Sequence, residues 1–222
     1  MRRNCSLEDI SDGNLYTVHD LANLSCNGCK GSANCCHGMG NSIVLDPYDI
    51  YRLTTTLNVT FEQLLGSKIE LNVVDGIILP NLGMAGDLES CSFLNEKGRC
   101  SIHGARPGIC RIFPLGRYYE DNTFHYILQA NECPNQSETK MKVGKWIDTK
   151  DVKENEQFII SWHYFLNDVE DILKNISDDN QVKHINMYIL NQFYLKPFTL
   201  DCDFYTQFNH RLAECKGLLH LK

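Results

Sequence analysis

The most regular pattern of hydrophobic and polar positions lies in the last third of the chain. Phe158, Trp162, Phe165, Val169, Ile172 and Ile176 recur at three- and four-residue spacing, which predicts an amphipathic helix. Ser177-Asp178-Asp179-Asn180 interrupts it with side chains that compete for backbone partners and favour caps. Val182, Ile185, Ile189 and Phe193 predict a second helix running to Pro197, and Phe204, Phe208, Leu212 and Cys215 a third. Glu170-Asp171 and Asp178-Asp179 read as solvated helix faces and caps.

Upstream, the pattern changes to short apolar runs between turn signals. Ile43-Val44-Leu45 predicts a short strand. Asp46-Pro47 then reads as an N-cap followed by proline at the first helical position, opening a helix that would bury Ile50, Leu53 and Leu57. Thr60 with Gln63 forms a capping-box signature for a second short helix ending at Gly66. Residues 68–74 and 77–82 flank Asp75-Gly76, a hairpin signal, and residues 115–120 and 123–129 flank Asp121-Asn122 in the same way. Between these pairs, Cys91 to Leu94 and Arg99 to Ile102 flank Lys97-Gly98 and predict a small hairpin. Pro107 can open a short helix carrying Cys110. The expected fold class is α+β. A polar N-terminal lead (1–25) without clear period precedes a cysteine-rich domain of short hairpins and helices (26–135), and a helical segment (150–222) packs on that domain.

Composition changes the picture mainly through cysteine. At 222 residues, 43% hydrophobic and 22% charged, the chain can bury a core without disulfide help. Its formal charge of -7 offers no basic field for nucleic acid. No apolar run approaches the ~18 residues of a membrane span. Met1-Arg2-Arg3-Asn4 is not followed by the apolar run of a secretory signal, so a cytoplasmic setting is expected. There, eleven cysteines are expected to stay reduced and to bind metal or do redox chemistry, and an odd number cannot pair completely.

Cys26, Cys29, Cys35 and Cys36 form C-x2-C-x5-C-C, in which Gly28 and Gly31 give the backbone room to turn. A C-x2-C loop lets two thiolates converge on one ion, as in zinc and iron–sulfur sites. Cys91, Cys100, Cys110 and Cys133 supply four more thiols, and His103 adds a nitrogen donor in C-x2-H spacing. Neighbouring side chains of an extended backbone point to opposite faces, so Cys35 and Cys36 need not serve one site. Eight thiols could make two four-coordinate sites, or one site plus structural cysteines. Cys5, Cys202 and Cys215 read instead as small buried hydrophobes. Arg106 and Arg111 could hydrogen-bond around a cofactor, offset the charge of several thiolates or steer an anionic substrate; surface ion pairing is the competing reading. Phosphate-loop, H-E-x-x-H and G-x-S-x-G signatures are all missing. No catalytic residue stands out, and whether the protein is an enzyme stays open. An acidic, helical tail is compatible with a protein or peptide partner but names none.

Taken together, Cys26-x2-Cys29-x5-Cys35-Cys36, Cys91-x-Phe93-Leu94, Gly98-x-Cys100-x-Ile102-His103 and Arg106-Pro107-x2-Cys110-Arg111-x-Phe113-Pro114 resemble the YkgJ-type cysteine-cluster proteins. The resemblance covers about residues 26–135. It implies a zinc- or iron-chelating domain, with an iron–sulfur cluster as the leading cofactor and zinc as the alternative. Flagellin lysine N-methylases also contain this domain, which makes protein methylation a further expectation. The chain, however, shows no Gly-rich strand-to-helix loop suited to a methyl donor. The helical tail lies outside the resemblance.

Overall fold

Asp46 begins the first long helix, α2 (Pro47–Leu57), as the sequence predicts. Its carboxylate accepts from Asp49 N at 2.8 Å, and the Asp49 carboxylate accepts in return from Asp46 N at 3.2 Å. The molecule is described by a computed structural model covering residues 6–24, 33–130 and 139–221. Ile50 and Leu53 are buried, but Leu57 is 37% exposed: the helix stops there, with Asn58 in the left-handed conformation, and its last residue stays at the rim. The Thr60–Gln63 capping box opens α3 (Phe61–Leu64), and Phe61 and Leu64 face the core.

Both predicted two-residue hairpins form. β2 (Ile69–Val74) pairs antiparallel with β3 (Ile77–Leu82) through Asp75 and Gly76, and β6 (Leu115–Glu120) pairs with β7 (Thr123–Leu128) through Asp121 and Asn122. All four turn residues have positive φ, matching the twist of the flanking strands. Ile43–Leu45 is not a strand of its own. It runs along β3 with one bridge, Leu45 N donating to Pro80 O and Leu82 N to Ile43 O, and Pro80 has no N–H with which to extend the ladder. Residues 91–102 reverse around Lys97-Gly98 as expected, but with only a minimal ladder: Asn95 N donates to Arg99 O and Ser101 N to Phe93 O, each at 2.9 Å. β5 (Ser90–Cys91) pairs backwards with β4 (Met84–Ala85). The loop beyond is closed by a single Leu94–Cys100 bridge and by Asn95 Oδ1, which accepts from Lys97 N and Arg99 N.

The described part of the N-terminal lead, residues 6–24, is structured despite its lack of period. After a single turn, α1 (Leu7–Ile10), Tyr16 exchanges two 2.8 Å backbone hydrogen bonds with Tyr126 of β7. β1 (Leu21–Asn23) then pairs with β8 (Lys140–Lys142), which runs directly into α5 (Val143–Ile147). Each described sheet is two-stranded, so helices supply the layer that closes the core.

That layer is α6 (Val152–Lys174), α7 (Asp179–Leu190), which continues into a π turn at Asn191–Leu195, and α8 (Phe204–Leu218). Phe158, Trp162, Phe165 and Val169 line its buried stripe, with Phe193 and Phe208. Edge-to-face contacts such as Phe158–Phe208 (4.6 Å between centroids) and Trp162–Phe193 (4.8 Å) lock these rings. Tyr48 of α2 lies 4.9 Å from Phe204, so the helical layer and the cysteine-bearing half share one core. Glu170 is not on a solvated face: it is 7% exposed and pairs with Lys174. Arg211 donates to the carbonyls of Gln192, Lys196 and Pro197, satisfying the end of the second helix where Pro197 forbids its continuation. Among the described residues, no helix is long and apolar enough to cross a membrane.

Candidate metal centre

Three stretches of chain carry the described cysteines of the candidate site. A single 3-10 turn, Asn34–Cys36, holds Cys35 and Cys36, with Cys36 N donating to Ala33 O at 2.7 Å. The next residues dock on β5: Gly38 N donates to Glu89 O, and His37 Nδ1 lies 3.0 Å from Ser90 Oγ. This docking sets the cysteine pair beside Cys91. The Leu94–Cys100 bridge folds Cys100 back toward the same place. α4 (Gly108–Ile112), opened after Pro107 as expected, adds Cys110.

The five thiols Cys35, Cys36, Cys91, Cys100 and Cys110 are free of disulfides and close enough to perturb one another's ionisation. The Cys36 thiol donates to Cys35, lowering the Cys35 pKa to about 6 and raising that of Cys36. Burial pushes Cys91, Cys100 and Cys110 up, and the neighbouring Asp49 adds to the effect on Cys110. Asymmetry of this kind gives one ready thiolate among neutral thiols. A cation among them would reverse that penalty, because a coordinating thiol is deprotonated. Among the described residues, no three His, Cys, Asp or Glu side chains already stand in metal-holding geometry. Cys26, Cys29 and Cys133 lie outside the described residues. The donor chemistry fits zinc or iron: soft thiols, unbridged, brought together from separate stretches.

His103 stands at the exposed edge, with Nε2 3.2 Å from Arg106 Nη1; partial burial and that guanidinium lower its pKa and favour the neutral ring. Arg111 is not a surface ion-pair residue. It is 8% exposed, and its guanidinium donates to Thr149 Oγ1 at 3.0 Å and to Arg106 O at 3.4 Å. Cys215 is fully buried, as expected. Cys202 is exposed instead, in the irregular stretch before α8, and Cys5 lies outside the described residues.

Arg111 belongs to a buried group of polar residues whose other members carry no site signal in the sequence. Asp49 Oδ1 accepts from Gly108 N at 2.7 Å, linking α2 to the start of α4. Asp46, Asp49, Arg111, Arg117 and Thr149 surround a void of about 10 Å³, room for a single water. Burial, and then the neighbouring Asp49, lift the Asp46 carboxyl to about 8. The Asp46 N-cap is readable in the sequence, but the Asp49 half of the box and the arginine neighbours, which come from distant positions, are seen only in the fold.

No curated protein and no solved structure shows significant similarity to the chain. Residues 25–142 match the family model described as "Putative zinc- or iron-chelating domain", a span that includes every cysteine of the candidate site. The chain belongs to that family of cysteine-rich metal-chelating domains.

Proposed function

We propose that the protein carries an iron–sulfur cluster held by thiolates drawn from Cys26, Cys29, Cys35, Cys36, Cys91, Cys100, Cys110 and Cys133. Its role would be in redox chemistry or in modifying a protein or peptide in the cytoplasm. The observation that carries this reading is the gathering of five unbridged thiols inside the family's domain. Such a cluster supplies one-electron transfer at a potential set by charge, hydrogen bonds and exposure. Cys35, already acidified by Cys36, would be the first thiol to give up its proton. The Arg106 guanidinium, whose charge Cys35 and Cys100 feel, would offset part of the negative charge of a thiolate set. His103, at the exposed edge, would be the donor open to exchange with a partner's group.

Zinc is the second reading, because the matching family description names zinc beside iron and the same thiolates suit it. Metal and acid-labile sulfide analysis with a visible spectrum, on protein purified without oxygen, separates the two. Iron, sulfide and an absorbance that bleaches on reduction are expected. Colourless protein with stoichiometric zinc would replace the cluster by a structural or open zinc site. Metal-free, folded protein under both conditions would overturn metal binding at these cysteines.

A further inference from the structure

Residues 106 and 107 are extended, between a 3-10 turn at His103–Ala105 and α4. Pro107 O accepts from Arg111 N at 2.9 Å, but Pro107 has no N–H to offer. Side chains tie down further backbone atoms of the loop. Arg52 Nη2 donates to Gly104 O, Arg111 Nη2 donates to Arg106 O, and Gly108 N donates to Asp49 Oδ1. Every second residue from 104 to 108 therefore has one backbone atom held from outside. Asp49 and Arg52 sit three residues apart on α2, so they reach the loop from one helix face. The Asp49 carboxylate is split between two tasks: Oδ2 completes the cap of its own helix, and only Oδ1 reaches the loop.

We infer that Asp49 and Arg52 are positioning residues for the metal centre, fixing the loop that sets Cys100 and His103 against Cys110. This rests on the proposed ligand reading. A rigid helix holding the backbone between two ligands restricts where their sulfurs can go, as outer partners do at other metal sites. Holding a loop of this kind matters most where the ligand-bearing stretches are short, as they are here.

The test uses the full-length metal-free protein loaded with Co2+, whose thiolate charge-transfer absorption reports ligand geometry, followed by release to EDTA. Asp49→Ala and Arg52→Ala are expected to weaken Co2+ binding by about 10–100-fold, the usual effect of removing an outer partner, and to shift the absorption. Asp49→Asn keeps an acceptor for Gly108 N but cannot complete the cap, so it should lose thermal stability while holding Co2+ like the wild type. Asn186→Ala, on α7, should lower stability with no change in release or spectrum. Wild-type release and spectrum in both alanine variants, with Co2+ binding lost in Cys110→Ser, would overturn the positioning role alone. Should Asp49→Ala fail to fold, Arg52→Ala decides on its own, because its carbonyl partner lies on an exposed residue. Unchanged Co2+ binding and spectrum in Cys110→Ser would overturn the ligand reading and the positioning role with it.

Discussion

Asp46 shows how one residue can help and cost at once. Its carboxylate caps α2, yet burial and the neighbouring Asp49 lift its pKa from 3.8 to about 8. The folded state therefore holds the proton more tightly than the unfolded chain. This group's contribution is fully present below about pH 4 and is lost as the pH rises through 8. Asn caps a helix as well as Asp does and does not titrate. Asp46→Asn should flatten the loss of stability between pH 5 and 8 in urea titrations; parallel curves for variant and wild type would show that the carboxyl does not titrate there. Cysteine substitutions belong to this scale too. Cys29→Ser should lose metal, whereas Cys202→Ser and Cys215→Ser should keep wild-type metal content by elemental analysis. Legibility at this scale follows sequence distance. The Asp46 N-cap and the Thr60–Gln63 capping box are readable because their signals lie within three residues of each other. The burial of Arg111 and Glu170 is not, because it depends on the elements that pack over them.

At the scale of elements, the β2–β3 hairpin relies on a helix far along the chain. Ile78 N donates to Asn186 Oδ1 at 2.6 Å, and Asn186 Nδ2 donates to Gly76 O at 3.1 Å, so one buried amide takes the place of a neighbouring strand. Asn186→Ala leaves both backbone groups without that partner and should cost about 1–3 kcal/mol in chemical denaturation. Phe208 is fully buried among Phe158, Trp162, Phe193 and Phe204, and Phe208→Ala should cost about 3–5 kcal/mol. A loss below 1 kcal/mol would mean that the aromatic cluster repacks. The long helices and the two tight hairpins were legible because periodicity and positive-φ turn residues are local signals. β1, β8 and α5 escaped notice, since elements of three to five residues carry no measurable period and their pairing spans about half of the chain.

At the scale of the molecule, the cysteine-bearing half and the helical layer do not have separate cores. Tyr194 donates to Leu45 O at 3.1 Å, and buried side chains from Ala22 to Cys215 form one cluster. Deleting residues 150–222 should therefore leave a fragment that binds a hydrophobic dye and lacks a cooperative unfolding transition. A sharp transition in that fragment would show an independent domain. The change to helical periodicity over about the last 70 residues is visible in the sequence. The packing of those residues is not, because a sequence shows which residues are apolar but not which stretches they cover. The same shared core implies that metal removal should leave far-UV circular dichroism nearly intact, unlike small zinc modules that unfold without their ion.

β1 and β8 are paired where Asn23 meets Lys140. The chain heading toward Cys26 and the chain arriving from Cys133 thus share an anchor, although about half of the sequence lies between them. In polymer terms, the ladder has already closed the large loop, and an ion joining those two stretches would close only short tethers. Closure cost grows with the logarithm of the free length. Pairing of the strands would by itself raise the local concentration of one set of thiols around the other, whatever ion then joined them.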